Sequence, residues 1–119
     1  MKLLFIFCVV LLVGCSQQPF VTFDNVRVAV EVADEQAEQE RGLQKRDSLC
    51  ATCGMLFVFN TQELHRFWMK DTLISLDMIF IDDRMRVVDI YTAHPCIEEI
   101  CPVYDPLHKA RYVLEVNAG

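Results

Sequence analysis

The sequence predicts a mainly β fold with one or two short helices, an α+β domain built on a small antiparallel sheet that curls toward a barrel. Three observations lead there. From residue 26 onward, short apolar runs alternate with polar positions at the period of a strand with one solvated face. Only residues 34–42 carry paired start and stop signals for a helix. The 119 residues, 53% hydrophobic and 24% charged with four prolines, suit one folded domain with a modest core.

Residues 1–14 are set aside as a leader. Lys2 supplies a positive start, and residues 3–13 are uniformly apolar. That run is long enough for a signal-peptide core but short of the roughly 20 residues that a membrane-spanning helix needs. It ends Leu12, Val13, Gly14, Cys15, which resembles a bacterial lipoprotein signal and marks Cys15 as the lipid attachment residue, with palmitate among its acyl chains. Ser16, where an Asp is absent, points to the outer membrane of a Gram-negative cell, and Cys8 leaves with the leader. The competing reading is an ordinary secretory signal or an uncleaved anchor, with Cys15 a bystander. Residues 15–24 then form the anchor and tether, and residues 25–119 a single compact domain.

Within that domain, residues 26–32 alternate as a strand, with Arg27 and Glu31 on the polar side. Asp34 is placed to cap a helix of about two turns, Glu35 and Glu38 suit its start, Arg41 its end, and Gly42 the left-handed position beyond it. Residues 55–59, 65–70, 76–81, 86–91 and 111–116 read as further strands, and Asp83 supplies turn chemistry for a hairpin over 82–85. Neither an internal repeat nor a low-complexity segment divides the chain.

Eleven Lys and Arg against 17 Asp and Glu give a net charge of -6, so no polycationic surface exists to collect the phosphates of a nucleic acid. Six cysteines are many for a short chain in a reducing compartment. Four belong to the domain: Cys50 and Cys53 with two residues between them, Cys96 and Cys101 with four. They suit either a tetrahedral thiolate site for zinc or two disulfides in an oxidising envelope, and the leader favours disulfides. Local pairing is the simplest of three connectivities that sequence alone leaves open. Cys50 and Cys53 also have the spacing of a thiol exchange centre, but residues 55–59 read as a strand where such a centre needs a helix N-terminus.

Glu31, Val32, Ala33, Asp34, then Arg41, Gly42, Leu43, then Gly54, Met55, Leu56, Phe57, Val58, Phe59, then Phe67, Trp68, Met69, Lys70, then Leu76, Asp77, and the closing Arg111, Tyr112, Val113, Leu114, Glu115, Val116, Asn117, Ala118, Gly119 together resemble the bacterial and archaeal family catalogued as domain of unknown function 192. The resemblance covers residues 26–119 and implies a small strand-rich fold, typically secreted or lipid-anchored, with no reaction, substrate or cofactor attached to the name. It also implies that Cys96 and Cys101 are a pair common in the family, while Cys50 and Cys53 are an addition. Asp71 stands where the family usually has Asn, and Ser75 where Pro is common. The family usually continues past Asn117, Ala118, Gly119 into a further helix and strand, so the expectation is either a fragment or truncated chain, or another chain that covers the exposed edge and core face left by the missing elements.

In the segment from Arg66 to Asp71, alternation directs Phe67 and Met69 to one face and Arg66, Trp68 and Lys70 to the other, which sets a Trp between two cations on a less buried surface. The competing reading packs Trp68 on the core. Asp77, inside an apolar run, is placed to pair with Lys70 or to hold backbone amides. Arg66, Trp68, Lys70, Asp71 and Asp77 are therefore the candidate binding residues. His65, His94 and His108 lack metal-motif spacing, although His94 lies near Cys96. No nucleophile, phosphate-loop or hydrolase motif appears, so no catalytic residue is named and no cofactor is implied beyond zinc on reduced thiols.

The expectation is a lipid-anchored envelope module that binds a small ligand or an envelope protein without catalysis, facing the periplasm. A structural subunit of an envelope complex, and a thiol redox or metal-dependent protein, are the alternatives. Intact mass of the chain expressed with its leader in a Gram-negative host is expected to show cleavage before Cys15, an acyl increment, and four thiols that appear only on reduction. Four free thiols carrying one zinc would overturn the disulfide expectation.

Overall fold

The computed structural model describes residues 3–6 and 17–119. Along the described residues run β1 (Leu3–Ile6), β2 (Phe20–Phe23), β3 (Val26–Ala33), α1 (Gln36–Arg41), β4 (Cys53–Glu63), β5 (Phe67–Trp68), β6 (Leu76–Ile81), β7 (Val87–Ala93), β8 (Val103–Tyr104) and β9 (Ala110–Asn117). One sheet has the order β1-β2-β3-β4-β9-β6-β7, and β5 pairs with β8 in a small separate sheet. Cys8 and Cys15 lie outside the described residues.

The main sheet is mixed. β3 and β4 run parallel, with Val30 opposite Gly54 and Val32 opposite Leu56, while the other pairs are antiparallel. The reason lies between them: parallel neighbours need a crossover, and residues 34–52, with α1, supply one. The all-antiparallel expectation missed this because alternation within a strand says nothing of its partner's direction. Nor does the sheet close. β1, which falls within the residues expected to form the leader, and β7 remain separate edges, and Val21, Val28, Val30, Leu56, Ile81 and Leu114 form one cluster that runs across neighbouring strands on a single face.

The opposite face carries the larger cluster, with Met55, Phe57, Met78, Phe80 and Val113 from the sheet and Leu43 and Met69 from the segments that cover it. Each central strand therefore divides by parity. Met55 and Phe57 face one layer and Leu56 the other; Val113 faces one and Leu114 the other.

The local elements depart from expectation in ways that have physical causes. Residues 20–23, expected within the tether, form β2, where Val21 is fully buried. α1 has six residues and begins one position later than foreseen, with Glu35 and not Asp34 at the cap, because the Glu38 carboxylate accepts hydrogen bonds from the amides of both Asp34 and Glu35. Gly42 ends it at φ 48° and donates to the Glu38 carbonyl. In the β6–β7 hairpin Asp83 lies in the 82–85 turn as expected, and Asp82 anchors it: its buried carboxylate accepts from the amides of Arg84 and Arg86 at 2.9 Å each and from the Arg86 guanidinium. Residues 65–70 yield only the two-residue β5, and its partner β8 was not foreseen.

Gly54 shows how tightly the central strands meet. A Cβ there would stand 2.6 Å from the Glu115 carbonyl oxygen and 3.0 Å from Val116 Cγ1. Gly54→Ala is expected to destabilise the fold by about 1–3 kcal/mol, measured by urea denaturation.

Candidate functional site

Helix α1, the loop after it and strand β5 stand over the larger-cluster face of the sheet and leave a cavity of about 270 Å³. Three elements build its walls. Phe57 and Phe59 come from consecutive same-face positions of β4, Phe67 and Trp68 from β5 and Leu43 from the segment beyond the helix. The rings brace one another: Phe67 meets Phe57 edge to face at 5.0 Å, Phe59 at 6.2 Å and Phe80 at 5.7 Å. Gln39 ties the helix down, donating from Nε2 to the carbonyls of Ala33 and Val58. A second cavity of about 310 Å³ lies on the other side of Gln39 and shares Gln36 and Phe59 with the first; on its margin His65 stacks on Phe59 at 3.6 Å.

The floor holds the one chemically unusual group. Glu115 lies in β9 between β4 and β6, opposite Met55 on one side and Met78 on the other. Strand parity puts its side chain in the same layer as Val113, Phe57 and Met78, and it is 4% exposed. Its carboxyl finds no hydrogen bond or ion pair among the described residues and borders the cavity. Burial without a countercharge disfavours the ionised form and pushes the pKa from an ordinary 4.5 up to about 8. The floor is thus a neutral carboxylic acid at pH 7, a hydrogen-bond donor and acceptor in an aromatic-walled space.

The sequence-derived candidates divide. Arg66 and Trp68 line the cavity, and Trp68 is 52% exposed, so it does not pack on the core. The alternation foreseen for this segment holds, with Met69 buried beneath. Arg66 pairs with Asp105 at 2.8 Å, both side chains largely exposed. Lys70 does not meet Asp77; its ammonium donates to the Glu98 carbonyl. Asp71 adopts φ 58°, and its amide and carbonyl hydrogen-bond to Cys96 and Lys45, so it shapes the backbone behind the cavity. Asp77 faces the opposite layer from Glu115, where Thr92 Oγ1 donates to it at 2.7 Å and the Gly119 amide at 3.0 Å. Arg66 and Trp68 are brought together with Glu115; Lys70, Asp71 and Asp77 are not.

The four domain cysteines form two local disulfides, Cys50–Cys53 and Cys96–Cys101. Sulfurs so paired offer no thiolate to zinc, and among the described residues no group of three or more His, Cys, Asp and Glu is placed to hold a metal. Cys50–Cys53 closes a turn directly before β4, with the Cys53 amide bonded to the Cys50 carbonyl, and not at a helix N-terminus. Cys96 bridges to Lys70 and Thr72, which fastens the second disulfide loop behind β5.

The model of the DUF192 family, described as an uncharacterized ACR, matches residues 20–119. The chain belongs to the DUF192 family. A UPF0127 protein, PH1112, of Pyrococcus horikoshii is 38% identical over 56 residues, which are 47% of this chain and 42% of that relative. Two crystal structures resemble the fold. A protein of unknown function from Novosphingobium aromaticivorans matches with a TM-score of 0.73 and 34% identity, over 79% of this chain and 66% of its own. A Sinorhizobium meliloti protein, described as a candidate transcription regulator, matches with a TM-score of 0.72 and 35% identity, over 78% and 70%. The match thus spans under half of the curated relative and about two thirds of the first of these structures. DUF192 membership brings no assigned reaction, and the site stands on its geometry.

The buried acid makes stability depend on pH. Below pH 4.5 Glu115 is protonated both folded and unfolded and adds no pH-dependent cost; between about 4.5 and 8 the unfolded chain releases a proton that the folded chain keeps, so stability falls as pH rises, and levels off above 8. Glu115→Gln is expected to abolish this slope and to gain several kcal/mol over the parent at pH 8.5, measured by urea denaturation at pH 5 and 8.5.

Proposed function

We propose that the chain is a lipid-anchored envelope module, held to the outer membrane through Cys15 and facing the periplasm, that binds a small molecule without chemically altering it. The observation that carries the binding reading is the aromatic-walled cavity floored by the Glu115 carboxyl, which has no partner among the described residues. Concave, largely apolar spaces with a few aimed polar groups are where small ligands bind. Catalysis would need a second acid, base or nucleophile within reach of the first. Among the groups lining the cavity, Arg66 is engaged with Asp105, and Glu40 accepts from Gln36 at the rim. The leader-like run and Cys15 support the envelope location, as does the use of cysteine in disulfides.

The reading is tested by thermal shift of the purified chain across a library of small metabolites. At least one compound is expected to raise Tm saturably, and Trp68→Ala, which removes an exposed wall, is expected to weaken that response about tenfold without lowering the Tm of the free protein. A chain stabilised by no compound, or a variant that responds as the parent does, would overturn it.

A further inference from the structure

Four aromatic side chains, Phe57, Phe59, Phe67 and Trp68, border one cavity with a single buried carboxyl, Glu115, that has no partner among the described residues. Both kinds of group select for the same ligand chemistry. The face of an aromatic ring is negative and attracts cations, the more strongly when water is excluded, and a buried carboxyl is relieved of its desolvation cost only by a donor or a positive charge. Among the described residues neither meets Glu115. The cations that line the cavity are Arg66, occupied by Asp105, and Arg41, in the exposed last turn of α1, where solvent and salt screen it; Arg111, on the same face of β9, donates to the Phe59 carbonyl.

Other ligand chemistries fit less well. An apolar molecule would leave Glu115 unsatisfied, an anion could accept from the protonated carboxyl but would face the negative ring faces and keep Glu115 from ionising, and a hydrated metal ion needs several oxygen ligands where this floor has one carboxyl. The net charge of -6 draws cations toward the surface. We infer that the cavity takes a compact organic ammonium ion, its charged head beside the aromatic wall and against Glu115, which then gives its proton to solvent and pairs with it as the carboxylate. This rests on the small-ligand reading above and names the chemistry of the ligand.

The chain has a single Trp, on the cavity wall, so its fluorescence reports occupancy. The purified full chain is titrated at one ionic strength with three probes of similar shape: choline, its uncharged isostere 3,3-dimethylbutan-1-ol, and 3,3-dimethylbutanoate. Choline is expected to bind at least about tenfold more tightly than the alcohol and the carboxylate least, and Glu115→Gln is expected to narrow the gap between choline and the alcohol. The comparison within the parent chain stands even if the variant fails to fold. Alcohol or carboxylate binding as tightly as choline would overturn the ammonium inference and leave the small-ligand reading intact. Binding of none of the three, with the library screen also empty, would overturn both; binding of none, with an uncharged or anionic hit in that screen, would overturn the inference alone.

Discussion

Strand β9 is bonded along both edges, to β4 and to β6, and every other feature of the molecule is arranged around that position. A strand so placed has no solvated edge, and here it has no solvated face, because one hydrophobic cluster lies on each side of it. The side chains at its middle, Val113, Leu114 and Glu115, are all buried in those layers. For Val113 and Leu114 that is stabilising. For Glu115 it means a carboxyl whose charge is suppressed by its surroundings, and the cavity is the one relief the fold leaves open to it.

The crossover between β3 and β4 decides what lies above that floor. Because these strands run parallel, the chain must travel back over the sheet, and the return path places α1 and Leu43 over Phe57 and Glu115. The helix is too short to be stable alone. Glu38 at its start, Gly42 at its end and the two bonds of Gln39 to the sheet hold it in place. On the other side β5 is shorter still, and it is secured by β8 and by the disulfide loop that bridges to Lys70 and Thr72.

Much of this was legible in the residues. Strands at 76–81 and 111–116 were readable because apolar runs there are bounded by turn residues, and both disulfides follow the local pairing that short spacing suggests. The parallel pair was not legible, since strand direction is a tertiary property. β2 and β8 escaped because four and two residues are too few to show a period. In the site, Trp68 and Arg66 were found through alternation, whereas Asp77 drew notice as a charge among apolar residues and in fact lies on the opposite layer, holding a backbone amide and a threonine. Glu115 carries the same kind of signal, a carboxylate between Leu114 and Val116 two positions after Val113. Its register with Met55 and Met78, which only the sheet reveals, separates it from Asp77.

The walls and the floor of the cavity come from parts of the chain under unequal constraint. Trp68, Gln36, Gln39 and Arg66 belong to short elements or exposed positions, while Glu115 belongs to the middle of the sheet. Such a division lets descent with modification alter what the molecule prefers by exchanging rim residues, at little expense to folding. A change at the floor would reset preference and stability together. Relatives that keep this acid and differ around it would be variations on one recognition theme, whereas a relative that has lost it would have given up the theme itself.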